Sequence, residues 1–220
     1  MPDRNYRNKL KANTLIVAKR IVENEGLGAL QARRIAQEAG CSVGTIYNLY
    51  DGLDDLIIRV NAGTLEDLGS KLSALETASE DNLAESLTAM ALAYLSFALD
   101  KQTSWRAVFE HQLAKDKVVP DWYREHQSAL FSIVEKQLAT VVSDDKERRL
   151  AARALFAAVH GIVSIALDQK LGDFDYAATQ AQVKFIVQSA AHGLIARPSH
   201  SYADVTTVPT ETVRPPLESN

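Results

Sequence analysis

The chain has 220 residues, 46% of them apolar and 24% charged, with one cysteine and a formal net charge of −4. That length supports one or two domains whose core holds without covalent staples, and the lone Cys41 excludes an intramolecular disulfide. The opening MPDRNYRNKL lacks the apolar core of a signal peptide, and the most apolar stretch, Ala151 to Leu167, is short and broken by Arg153, His160, Gly161 and Ser164, so the expectation is a cytoplasmic chain with no membrane partner.

Charge is unevenly spread. Residues 1–50 carry eight Lys/Arg against four acids, a net +4, which leaves −8 on the remainder. A basic head on an acidic body is the asymmetry expected when only one end meets phosphate. A chance cluster on a solvated helix accounts for the same numbers.

The first helix is predicted from Tyr6 to Glu25, with Leu15, Ala18, Ile21 and Val22 on one face of a 3.6-residue repeat. Gly26 and Gly28 end it. Arg4, Arg7, Lys9 and Lys11 form an N-terminal arm able to touch phosphate or a minor groove, or merely to solubilise the end. The stretch Gln31 to Tyr50, QARRIAQEAGCSVGTIYNLY, then reads as two short helices and a tight turn. Ile35, Ala36, Ala39, Ile46 and Leu49 supply the apolar contacts between them, Gly40 takes the turn, and Ser42 is a natural N-cap for the second helix.

The outward residues of that second helix decide its chemistry. Thr45 and Asn48 can hydrogen-bond base edges, Val43 can meet a thymine methyl, Gly44 permits close backbone approach, and Tyr47 bonds a phosphate or packs on the motif itself. The candidate contacts to double-stranded DNA are Arg33, Arg34, Ser42, Val43, Gly44, Thr45, Tyr47 and Asn48.

Beyond it the periodicity predicts only helices. A long one runs from Gly52 past Leu72, then Asn82 to Leu99, a break at Asp100 to Thr103, Trp105 to Lys115, and Asp121 to Val142 after Pro120. Asp145 to Lys170 follows, apolar almost all round from Ala151, and Phe174 to Ala196 closes the series. From Pro198 the Ser/Thr/Pro-rich tail reads as disordered. The fold class is therefore all-α, divided as a head at 1–51, a helical body at 52–197 and a tail at 198–220.

A small-molecule site in the body would draw on Tyr94, Phe97, Trp105, Phe109, Trp122, Phe131, Phe156 and His160, although plain core packing is the commoner role for any one aromatic. Glu110–His111 and Glu125–His126 match no recognised zinc spacing. No phosphate loop, nucleophile elbow or HExxH is present, so neither metal, cofactor nor enzymatic activity is expected. His160 and Asp168 as an acid–base pair would lie eight residues apart, about 12 Å along a helix at 1.5 Å per residue.

The run GLGALQARRIAQEAGCSVGTIYNLYDGLDDL resembles the N-terminal domain of the TetR (tetracycline-repressor) family, through Arg33-Arg34-Ile35-Ala36, Ala39-Gly40-Cys41-Ser42 and Gly44-Thr45-Ile46-Tyr47. The resemblance implies an all-α homodimer with a three-helix DNA-binding head and a ligand-binding, dimerising body, in most members a repressor released by a small molecule. Val159-His160-Gly161 and the Trp105…Phe109…Trp122 run resemble the subgroup named for a Trp-His-Gly signature, with Val159 in the tryptophan's place. Other positions depart from the pattern: Gln31 replaces the usual Ser/Thr, Cys41 a valine, Leu49 a histidine, and Leu53 a phosphate-contacting lysine beside Asp51, Asp54 and Asp55. DNA affinity is then expected to rest on Arg33, Arg34, Tyr47 and the arm, and to be salt-sensitive. A competing reading keeps the DNA head but gives the body to a protein partner. A sealed body favours that reading, and a hollow one favours the sensor.

Overall fold

The computed structural model describes residues 4–75, 83–113, 117–169, 172 and 175–196. Among these, nine α-helices and one short 3-10 turn account for the regular structure, and no strand occurs. In order they are α1 (Arg4–Glu25), the turn Leu27–Ala29, α2 (Ala32–Ala39), α3 (Val43–Leu49), α4 (Gly52–Ser73), α5 (Leu83–Asp100), α6 (Gln102–Glu110), α7 (Asp121–Leu138), α8 (Asp145–Leu167) and α9 (Tyr176–Ile195). The tail expected to be disordered lies outside the described residues.

Most predicted elements are present, with shifted ends. The break expected at 100–103 shrinks to Lys101, and α6 starts at Gln102. The cause is tertiary: the Thr103 hydroxyl donates to the Glu23 carbonyl at 2.6 Å, and Lys101 pairs with Glu23 at 3.5 Å, tying α6 to α1. At the other end α6 stops at Glu110, because His111 turns extended. The 151–167 stretch lies, as expected, inside a longer helix that starts at Asp145. That helix has 23 residues, and α5 and α8 are each long and apolar enough to cross a membrane by length and composition alone. Here both pack in the helical body, where α5 buries Leu87, Leu95 and Phe97 and α8 buries Leu155, Val159 and Val163 in one core.

That core is one of three apolar clusters. The head cluster joins Val17, Ile21 and Val22 of α1, Ile35 of α2, Ile46 and Leu49 of α3, and Leu56, Ile57 and Val60 of α4. Leu15 is only partly buried, and Val17 and Thr14 take the inner face of α1 instead. Thr14 is tolerated there because its hydroxyl bonds the Lys11 carbonyl and the Tyr50 phenol, both at 2.9 Å. A small third cluster, around Ile58, Ala62, Leu65 and Tyr123, fills the junction between head and body. Helix α4 contributes to all three, so it is the beam along which head and body share a frame.

Candidate functional site

The head holds a helix-turn-helix. Helix α2 ends on Gly40, whose φ of 70° is the left-handed conformation that favours glycine, and its N–H closes the last turn. Ser42 then caps α3, its side chain accepting the Thr45 N–H at 3.2 Å and lying 2.8 Å from the Thr45 hydroxyl. Ile46 and Leu49 are buried against α1, α2 and α4, which turns the opposite side of α3 to solvent.

On that open side lie Val43, Gly44, Tyr47 and Asn48, with Thr45 half-exposed at its edge. Tyr47 is 55% exposed, so its ring does not pack on the motif's core. A Cβ built on Gly44 would meet only the Ser42 Oγ at 3.8 Å, an ordinary contact, so the protein's own packing gives no reason for a glycine there. The helix is held from behind by the arm: Arg7 donates to the Asn48 carbonyl at 2.8 Å, and the Tyr50 hydroxyl donates to the Lys11 carbonyl at 2.7 Å. Gln31 opens α2 as an exposed N-cap without a side-chain hydrogen bond.

The two arginines of α2 differ. Arg33 is exposed, with no ion pair among the described residues. Arg34 forks onto Glu25, with one arm at 2.7 Å, and reaches Glu38 at 2.8 Å, while Glu38 also takes Arg20 at 2.7 Å. Hydrogen bonding to Arg34 holds both carboxyls below the usual range. The acidic start of α4 is likewise partly committed. Asp54 pairs with Lys117 at 3.2 Å, and Asp55 accepts the Asp51 N–H at 3.3 Å and pairs with Arg59. The Asp51 side chain, at the N-cap of α4, makes no capping bond.

In the body, six of the eight aromatic candidates gather. Tyr94 (α5), Trp105 and Phe109 (α6), Phe131 (α7), and Phe156 and His160 (α8) form one set of ring contacts with centroids 4.2–6.4 Å apart. A polar chain runs through it: the Trp105 indole N–H donates to the Tyr94 oxygen at 2.8 Å, and Tyr94 stands 2.8 Å from His160 Nδ1. Burial lowers the His160 pKa and raises that of Tyr94 far above its ordinary value, so both stay uncharged. Phe97 is buried in the core on α5, and Trp122 packs instead on Tyr123, His126 and the Arg59 guanidinium.

Beside this cluster is a cavity of about 440 Å³, between α4, α5, α6, α7 and α8. Leu65, Leu68, Phe109, Leu130, Phe131 and Phe156 give it apolar walls, and Arg124, Gln127, Ser128 and Arg153 give it polar ones. The four polar residues were not anticipated. Three of them follow one another on α7 with Phe131 at the i, i+3, i+4, i+7 spacing of a single helix face, a pattern equally typical of a solvated surface. A smaller void of about 80 Å³ adjoins it, and Tyr94 and Phe156 line both. No group of three or more metal-ligating side chains occurs among the described residues. Asp168 pairs with Arg106 at 2.9 Å.

Residues 87–190 match the model of the tetracyclin repressor-like C-terminal domain. No curated protein matches the sequence. Several solved structures share the fold. A protein of unknown function from Rhodococcus sp. RHA1 superposes with a TM-score of 0.68 at 21% identity, over 84% of this chain and 95% of that one. RolR in complex with resorcinol gives 0.63 at 17%, over 89% and 97%. The multidrug binding protein EbrR complexed with imidazole gives 0.58 at 21%, over 90% and 98%. At such identities the superpositions speak for the fold. Residues 87–190 therefore resemble a tetracyclin repressor-like C-terminal domain, here joined through α4 to a helix-turn-helix head.

Proposed function

We propose that this regulator is a one-component repressor that binds operator DNA as a homodimer and lets go when a small molecule occupies the body cavity. One observation carries the reading: an outward α3 with uncommitted side chains and a hollow body are built on shared helices, α4 and α6. The hollow favours a sensor over a body that only docks a protein. Two neighbours of this fold are complexed with small molecules, resorcinol and imidazole, which supports a small-molecule ligand.

Val43, Thr45, Tyr47 and Asn48 would read the major groove, and Gly44 would let the backbone of α3 approach it. Arg33 and Gln31 would reach phosphate first. Arg34 would join them only by exchanging Glu25 and Glu38 for phosphate, and Ser42 serves chiefly by capping α3. Leu150 and Ile165 on α8, with Phe185 and Ile195 on α9, are exposed apolar side chains that a second copy would cover in a four-helix interface. In this reading residues 1–51 are the DNA-binding unit and 52–197 the ligand-binding and dimerising unit. The protein is non-enzymatic, cytoplasmic and without a cofactor.

The test is fluorescence anisotropy on DNA from upstream of its own gene, across a salt series. A specific complex that weakens steeply with salt and is lost in the Thr45→Ala/Asn48→Ala variant is expected. Absence of any sequence-specific complex refutes the reading.

A further inference from the structure

The body cavity is asymmetric in charge. Two arginines line it, Arg124 from α7 and Arg153 from α8, and no carboxylate among the described residues does. Arg124 is already paired with Asp121 on its own helix. Arg153 differs: it has no carboxylate partner among the described residues, and its guanidinium lies 4.8 Å over the ring of Phe131, itself a wall of the cavity. Gln127 and Ser128 add uncharged hydrogen-bonding groups on the same side as Arg124. Opposite them the walls are Leu65, Leu68, Phe109 and Phe156.

An apolar chamber of about 440 Å³, in the usual range for small-molecule pockets, with a polar rim of one sign selects an amphiphile of the opposite sign. A planar guanidinium matches a carboxylate in two-pronged geometry, and its stacking on Phe131 fixes the plane that it offers. Those same arginines repel an organic cation, which an all-aromatic cage would welcome. Resting on the sensor reading above, we infer that the effector is an aromatic or similarly flat apolar monocarboxylate. Its ring lies against the wall of Phe109, Phe131 and Phe156, and its carboxylate sits on Arg153, with Arg124 and Gln127 or Ser128 beside it.

Isothermal titration calorimetry on the full chain with three probes of one shape tests this: 1-naphthaleneacetate, the neutral 1-naphthaleneacetamide, and trimethyl(1-naphthylmethyl)ammonium. The carboxylate is expected to bind at least tenfold more tightly than the amide, and the cation more weakly than either. In Arg153→Met, which keeps the stem and removes the charge, the ratio of carboxylate to amide affinity should collapse to within about twofold. A merely structural role for Arg153 would weaken both probes together and leave the ratio standing. Equal or tighter binding of the amide or the cation by the wild-type chain overturns the inference, as does an unchanged ratio in Arg153→Met. If the neutral or the cationic probe binds as tightly as the carboxylate or more tightly, and releases DNA, the carboxylate assignment fails while the sensor reading survives. If none of the three binds, the assignment falls, and the anisotropy experiment decides the regulator reading separately.

Discussion

Gly44 offers a test in which stability and DNA binding should move in opposite directions. It is the second residue of α3, its backbone is helical rather than left-handed, and an added methyl would meet nothing closer than the Ser42 Oγ at 3.8 Å. Within the isolated protein, then, Gly44→Ala removes only the entropic penalty of a helical glycine and should stabilise the head by about 0.5–1 kcal/mol. For a chain of this size that is roughly a 1–4 °C rise in Tm, read by differential scanning calorimetry. The same methyl would stand on the exposed face of α3, between Val43 and Tyr47, where the proposed interface brings the helix backbone against DNA. Operator affinity should fall at least tenfold, which is about 1.4 kcal/mol. A variant with higher Tm and undiminished DNA affinity would show that α3 does not approach DNA through Gly44. A variant with lower Tm would show that the glycine is needed by the fold, and the argument from its surroundings would be wrong.

Two further outcomes follow from the ion pairs and the buried histidine. In Glu38→Gln, Arg34 and Arg20 lose a shared carboxylate and the head gains one net positive charge, so DNA affinity at low salt should rise and the log–log salt slope should steepen by about one; unchanged affinity and slope would mean that neither arginine faces phosphate. Burial holds the His160 pKa below 6.5, so this group's contribution to stability is full above pH 6.5 and is lost as pH falls through the depressed folded-state value; Tm should therefore drop less between pH 7.5 and 5 in His160→Phe than in the wild type, and an equal drop would remove His160 from the account.

The head was legible in the sequence because its determinants are local. Gly40 at a left-handed φ, Ser42 two residues on, and Ile46 and Leu49 one turn apart specify the turn and the face of α3 within ten residues. The ties that commit Arg34 were half legible. Glu38 lies one helical turn away, but Glu25 is brought round by the turn at Leu27–Ala29, which spacing alone does not reveal. The cavity was legible only as a set of aromatics. Six of the eight come together because α5, α6, α7 and α8 converge, whereas Phe97 and Trp122 carry the same composition and face elsewhere. Its polar rim on α7 was hidden for a physical reason: a residue facing an open cavity obeys the same periodicity as one facing bulk water. Which of the two it faces depends on the neighbouring helices.

Besides α4, the connection between cavity and head runs through α6. Val108 and Phe109 line the cavity, yet the preceding residue, Ala107, is fully buried in the head cluster, and its carbonyl accepts the Asn61 amide at 3.0 Å. Thr103 and Lys101 fasten the start of the same helix to Glu23 of α1. A nine-residue helix is about 13 Å long and stiff, so displacement of Phe109 by a ligand moves Ala107 against α1 and α4. To lower operator affinity a hundredfold, the ligand must favour the displaced arrangement by about 2.7 kcal/mol. Ala107→Val should reproduce part of that shift without ligand, since overpacking a tight site costs about 1–3 kcal/mol and the strain is relieved by moving α6 away from the head. Linkage makes the prediction two-sided. The variant should bind operator DNA more weakly and 1-naphthaleneacetate more tightly, with anisotropy reading the first and calorimetry the second. Weaker DNA binding with unaltered ligand affinity would mean that the valine merely damages the head, and α6 would not be the coupling element.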